Sequence, residues 1–188
     1  LGQIANQDYP GPLEALVVDD GDAPVEQWLR REYPELELVH EGSPAEPVAP
    51  KSATKPRPGL VVRLLTLPRH ATTGEKRTAA AAAARGEVIL HWDDDDFHEP
   101  RRVSAQVGPI LRGEADVTAL ELSYVAALAS KLELHEAKAG SGIILWSSLA
   151  YRASLGRELS FANVSLDEDV EFADRAVKRC HKMVVLSG

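Results

Sequence analysis

The sequence predicts an α/β domain built on a mostly parallel central sheet. Two observations carry this. Short apolar runs alternate with segments of helical pattern along the chain, the order that an α/β layer architecture requires. The chain also has 188 residues and 44% hydrophobic content, enough to bury one real core as a single soluble domain. Aromatic residues make up only 5%, so that core must rest mainly on Leu, Val, Ile and Ala.

The elements follow in order. Leu13 to Val18 reads as a buried strand that ends in the acidic turn Asp19-Asp20-Gly21-Asp22. Asp22 is then a candidate N-cap and Pro24 falls in the first turn of a helix that stops before Pro34. Leu36 to His40 suggests a short strand. Ser43 to Gly59, rich in Pro, Ala and Lys, excludes both helix and central strand and reads as an exposed insertion. Gly59 to Leu67 follows as a strand. Thr72 and Glu75, three residues apart, form a capping box that opens a helix running through the alanines 79–84 to Gly86.

Glu87 to Trp92 is the next strand and runs into Asp93-Asp94-Asp95-Asp96. Pro100 starts a helix whose Val103, Val107, Ile110 and Leu111 share one face. Asp116 to Leu128 holds one or two strands, and Ile143 to Tyr151 another. Ser165 and Glu168 read as a second capping box, with Val170, Ala173, Val177 and Cys180 on one side of its helix. Lys182 to Leu186 closes as a strand. There are no repeats and no second domain.

Composition excludes several classes. A net charge of -8 and a pI near 5.3 argue against a general nucleic-acid binder, which needs basic excess to replace phosphate counterions. No apolar run approaches the roughly 20 residues of a membrane-spanning helix, and no signal-peptide pattern opens the chain. One cysteine, Cys180, rules out an internal disulfide framework and a Cys-rich zinc site; its place on the helix is that of a small buried hydrophobe.

Two acidic clusters sit at the carboxyl ends of predicted buried strands, the edge at which open α/β sheets bind ligands. Four adjacent aspartates repel one another, and a hard divalent cation such as Mg²⁺ or Mn²⁺ relieves that repulsion with one or two carboxylates plus phosphate oxygens. If strand geometry persists, Asp93 and Asp95 point one way and Asp94 and Asp96 the other, so that one pair serves a metal and the other caps the next helix. A solvated acidic turn is the plain alternative. His91 and His98 flank the aspartates and are either near the metal or simply packed. Trp92 reads as core.

In chain order, VVDDGD at 17–22, the Gly74…Lys76-Arg77 helix ending in ARGEVI at 84–89, HWDDDDFHEP at 91–100 and DEDVEF at 167–172 together resemble an inverting glycosyltransferase of family 2. The resemblance covers nearly the whole chain, and it implies the GT-A three-layer α/β fold and dependence on a nucleotide-diphospho-sugar donor. On this resemblance Asp20 hydrogen-bonds the base of the nucleotide and Arg77 lies near the diphosphate. Asp93 and Asp95 match the DxD pair, Asp95 as direct metal ligand and Asp93 nearer the ribose and diphosphate. Asp169 resembles the catalytic base, while Asp167 and Glu168 are read as helix caps. Trp146 lies where the family meets its acceptor, with stacking on a sugar ring and core packing both open. Lys76 either helps hold phosphate or is a surface lysine. The implied partners are a nucleotide-diphospho-sugar and a carbohydrate or other hydroxyl acceptor, with Mn²⁺ or Mg²⁺ as cofactor.

The chemistry agrees with these roles. Inversion needs a carboxylate to take the acceptor's proton and a cation to neutralise the departing diphosphate. The sequence departs from the family pattern in three places. The resemblance starts at IANQDYP (4–10), after the family's first strand, an interior one whose absence leaves backbone unpaired on two flanking strands. Thr78 stands where an asparagine usually follows the arginine, and the 43–59 insertion is unusual. Two rivals therefore stand beside the transferase: a non-catalytic relative that keeps the fold, and a sugar-phosphate nucleotidyltransferase, against which the Glu168-Asp169 pair argues.

Overall fold

The structure, a computed structural model, describes residues 1–22, 25–39, 59–121, 124–128, 132–136, 142–179 and 181–187. The 43–58 part of the Pro-rich insertion, Pro24 and Cys180 lie outside the described residues.

Strand β1 (Leu13–Asp19) lies parallel to β3 (Leu60–Thr66), which lies parallel to β2 (Glu37–Val39). Period-two alternation gives this sheet two apolar faces. Ala15 and Val17 with Leu60, Val62 and Leu64 pack against Leu1 and Ile4 of the N-terminal segment, which holds α1 (Gly2–Ala5), and Leu29 of α2 (Glu26–Glu32). Leu16 and Val18 with Val39 and Leu65 pack on Ala79 and Ala83 of α3 (Thr73–Ala83). Helix, sheet and helix thus make three layers. The poly-alanine stretch lets α3 sit close to the strands, because no side chain beyond Cβ separates them.

A second sheet has the order β4 (Val88–Leu90), β8 (Ile144–Arg152), β5 (Val117–Glu121), β9 (Met183–Leu186). Here β8 is antiparallel to both β4 and β5, and only β5 and β9 run parallel. The mostly parallel pattern therefore holds for the first sheet, while the second is mixed. One face carries α4 (Arg102–Leu111) through Ile110 against Ala150, Val88 and Val184. The other carries α5 (Ala153–Leu159) and α6 (Glu168–Lys178), with Phe161 and Phe172 stacked 4.2 Å apart and Tyr151 beside them. Strands β6 (Tyr124–Leu128) and β7 (Leu132–Glu136) form an antiparallel hairpin. In the described pairing β1 and β4 each end a sheet.

Several boundaries move. The helix after β1 starts at Glu26 with Val25 at its N-cap, and Asp19 rather than Asp22 accepts the Val25 amide at 3.1 Å. Strand geometry stops at Leu90, so residues 93–96 form a turn and the aspartates do not alternate as on a strand. The helix predicted from Pro100 starts at Arg102, without a side-chain cap of its own, and Leu111 lies half exposed at its end. The predicted second capping box does not form. Helix α6 begins at Glu168 with Asp167 in the left-handed region (φ 60°) and no side-chain cap, while Ser165 Oγ accepts the Thr73 amide at 3.4 Å. Its buried face is Glu168, Phe172, Ala173 and Ala176, and Val177 is exposed. Helix α5 and strand β7 were not legible in the sequence.

Candidate active site

The site is organised by the first turns of α3. Its predicted capping box is complete: Thr72 Oγ1 accepts the Glu75 amide at 3.2 Å, and Glu75 accepts the Thr72 amide at 3.1 Å. This fixes the register in which Lys76 and Arg77 leave the helix. Lys76 Nζ reaches Asp20 Oδ1 at 3.1 Å, and the other oxygen of Asp20 accepts the Ala71 amide at 2.9 Å. The backbone bond first and Lys76 second hold the Asp20 carboxyl below its ordinary value. Both oxygens of the residue expected at the base of the nucleotide are thus bonded within the chain.

Arg77 meets three carboxylates. Its guanidinium lies 3.4 Å from Asp93 Oδ1, 3.0 Å from Glu168 Oε1 and 3.2 Å from Asp169 Oδ2. The predicted donor-side carboxylate, in the turn after β4, and the predicted base, at the start of α6, are therefore joined through one side chain that is only 11% exposed. Glu168, read from sequence as a helix cap, is instead a buried partner of Arg77. Asp169 Oδ1 accepts the Val170 amide at 2.8 Å, which leaves Oδ2 facing Arg77. Burial raises the Asp93 carboxyl; Arg77 opposes this, and the charges of Asp96, Asp95 and Asp169 add to it. Acidic residues from three separate segments thus meet neighbouring side chains of α3: Asp20 meets Lys76, and Asp93, Glu168 and Asp169 meet Arg77.

The polypeptide between α5 and α6 is seated on the start of α3. Gly74 donates to Val164 O at 3.0 Å, and a Cβ at this position would lie 1.8 Å from Ala162 O. Thr78 Oγ1 accepts the Phe161 amide at 2.9 Å and Thr72 Oγ1 donates to Asn163 at 2.8 Å. Thr78, next to Arg77, thus helps tie α3 to the segment that leads into α6.

The acidic turn is held from several directions. His91 donates its amide to Leu149 O at 2.9 Å, and Arg102, buried under the turn, donates to His91 O and stacks over Trp92 at 4.5 Å. Ser147 Oγ donates to Asp96 Oδ2 at 2.9 Å. That serine comes from a break in the β5–β8 register, where Thr118 pairs with Ala150 but Leu120 with Leu145. The irregularity lets Trp146 and Leu149 pack on the same core cluster although they are three residues apart. Trp146 is thus half-buried against the core and next to the residue that holds Asp96. Ser148 and the buried Gln106 satisfy the interrupted backbone, through Ser148 Oγ to the Leu120 amide at 2.8 Å and Gln106 Nε2 to Ser148 O at 2.7 Å.

The two histidines are packed. His91 is buried with Nε2 2.9 Å from Tyr151 Oη, and burial with the nearby Arg77 and Arg102 charges holds its pKa well below the ordinary value. His98 stands edge-on to Trp92, and burial followed by Arg102 lowers its pKa to about 4.

A divalent cation, which the resemblance implies, can be judged by the donor set. Among the described residues no group of three His, Cys, Asp or Glu side chains forms a preformed cage. The turn does offer hard oxygen donors at Asp93 and the exposed Asp95, and one guanidinium stands against three carboxylates around Arg77. One or two carboxylates with the remaining positions left to phosphate and water is the usual Mg²⁺ arrangement. The residues fit such an ion.

Comparison with known proteins identifies the fold and the family. Crystal structures of residues 1–349 of S. aureus TarS superpose on the chain. The UDP complex has a TM-score of 0.67 at 19% identity, over 98% of this chain and 52% of that one. The UDP-GlcNAc complex has a TM-score of 0.68 at 20% identity, over 99% and 50%. Glucosyl-3-phosphoglycerate synthase from Mycobacterium tuberculosis, in complex with phosphoglyceric acid, has a TM-score of 0.55 at 14% identity, over 95% and 70%. At these identities the likeness establishes the fold, which is GT-A-like. The chain spans about half the length of the TarS structures. No curated protein matches significantly. The profile of Glycosyl transferase family 2 matches residues 25–139, more than half of the chain. The chain belongs to that family.

Proposed function

We propose that this domain transfers a sugar, with inversion, from a nucleotide-diphospho-sugar to an acceptor hydroxyl. The observation that carries the reading is the junction at Arg77, which brings Asp93 of the acidic turn and Asp169 of α6 to one guanidinium. Inverting transfer needs a leaving-group side and a base side on one substrate, and these two carboxylates come from elements 76 residues apart in the chain (169 minus 93). The nucleotides named in the matched structures, UDP and UDP-GlcNAc, make a uridine diphospho-sugar the first donor to test.

In this reading Asp169 accepts the proton of the acceptor hydroxyl as it attacks the anomeric carbon. The Val170 amide and Arg77 hold its two oxygens, so the carboxylate keeps one orientation. Asp93 and Asp95 would hold Mg²⁺ or Mn²⁺, which supplies positive charge to a departing diphosphate. Lys76 holds Asp20, the residue this reading assigns to the base of the nucleotide, and Trp146, packed against the core beside Ser147, would meet the acceptor only with whatever ring surface it leaves exposed.

Replacing Asp169 with Asn keeps the shape of the residue and removes its basicity. With UDP-GlcNAc and Mn²⁺, Asp169→Asn is expected to lower donor turnover by roughly 10²-fold or more, the usual contribution of a general base, while UDP binding persists. Equal turnover in the variant would overturn the assignment. A second reading rests on the same ion pairs: with Asp20, Asp93 and Asp169 all bonded within the chain, the domain is a binding module. UDP binding without turnover by the unaltered chain would favour it.

A further inference from the structure

The backbone that follows the acidic aspartates has a gap in its own bonding. Helix α4 has Arg101 at its N-cap and no side-chain cap, although the first amides of a helix need acceptors. Within residues 93–96 the one backbone contact is Asp96 to Asp93, at 3.4 Å. The missing partners come from residues 3–8. Gln7 Oε1 accepts the Val103 amide at 2.9 Å and its Nε2 donates to Glu99 O, also at 2.9 Å. Gln3 repeats the pattern four residues earlier: its Oε1 accepts the His98 amide at 2.8 Å and its Nε2 donates to Asp96 O at 3.1 Å. The Asp8 amide adds a bond to Pro100 O at 2.8 Å.

We propose that Gln3 and Gln7 are positioning residues for the donor site, acting through residues 96–103 to hold Asp93 and Asp95 in the geometry that takes a divalent cation. The proposal rests on the donor reading above. A carboxamide is the neutral side chain that both donates and accepts, so each glutamine grips one carbonyl and one amide of the loop. Gln7 is only 5% exposed, and it also supplies α4 with the cap that its local sequence lacks. The clamp is anchored from behind, because Leu1 and Ile4 pack into the core of the first sheet. The acidic turn is thereby referred to that core, from which Asp20 emerges, although the turn itself follows a strand of the second sheet. Ser147 and Arg102 hold the turn from the second sheet and α4, and the glutamines hold it from the first.

The test measures Mn²⁺ binding by electron paramagnetic resonance in the presence of UDP, with amide hydrogen exchange at His98 and Val103 as an independent readout. Methionine keeps the length of glutamine without its polar atoms. Gln3→Met with Gln7→Met is expected to weaken Mn²⁺ roughly tenfold or more, the usual effect of losing outer-shell partners, and to speed exchange at both amides. UDP binding without metal should not change. Gln3→Met alone, at a half-buried position, covers the case in which the double variant fails to fold; it should speed exchange at His98 and weaken Mn²⁺ in the same direction. If the unaltered chain binds Mn²⁺ with UDP and the folded variants bind it equally, this proposal alone falls. If the unaltered chain shows no Mn²⁺-dependent UDP binding, the donor reading falls and takes the proposal with it.

Discussion

At Asp93 burial and the neighbouring charges of Asp96, Asp95 and Asp169 act against Arg77 and leave the carboxyl raised. A raised carboxyl binds its proton more tightly in the folded chain than in the unfolded one. Its contribution to stability is therefore lost as pH rises from the unfolded value of 3.8 through the folded one, and at pH 7 the ionised group is a cost. Asp93→Asn should raise the thermal midpoint at pH 7, change it less at pH 4, and weaken Mn²⁺ binding. A lowered midpoint at pH 7 would mean that the ion pair with Arg77 outweighs the burial. Arg77 differs, because its loss would leave Glu168, which is buried, without its cationic partner.

At the scale of elements, α3 carries the site and the 161–165 segment sits on it. Gly74 is the point of closest approach: an added Cβ would stand 1.8 Å from Ala162 O, and a backbone carbonyl cannot rotate away as a side chain could. Gly74→Ala should therefore destabilise the domain by about 2 kcal/mol, the middle of the range for overpacking, and displace the start of α6. The check is a denaturant midpoint together with donor turnover, and both should fall. A variant with an unchanged midpoint would show that the segment moves away without strain. The capping box of α3 was legible because its two partners are three residues apart. The expected box at Ser165 does not form, because Ser165 is drawn into a tertiary bond with α3.

For the whole molecule, two buried histidines contribute to the loss of stability in mild acid. His98 titrates at about 4 and His91 well below its ordinary 6.5, so the folded chain binds fewer protons than the unfolded chain between those values. The sign follows from linkage: stability is full above pH 6.5 and is lost as pH falls toward 4, at about 1.4 kcal/mol per pH unit for each histidine within its window. Thermal midpoints measured from pH 7.5 to 4 should drop most steeply below 6.5. His98→Asn should flatten the profile between 6.5 and 4, and an unchanged slope would remove His98 from the account. Among the described residues no helix is long and apolar enough to cross a membrane.

The sequence by itself determined the local and periodic features: most strands, the face of α4 made by Val103, Val107 and Ile110, the α3 cap, and three acidic turns in family order. Each depends on residues within a few positions of one another, so spacing and side-chain chemistry suffice to find it. Only the tertiary structure decided that the second sheet is mixed, that α6 buries Phe172 while exposing Val177, and that Asp20 is tied to Lys76. It also decided that Arg77 joins Asp93 to Asp169, and that Gln3 and Gln7 support a loop more than 90 residues away. A carboxamide or a guanidinium is equally at home on a surface or against a buried loop. Which it meets depends on how the sheets pack, and no local pattern records that.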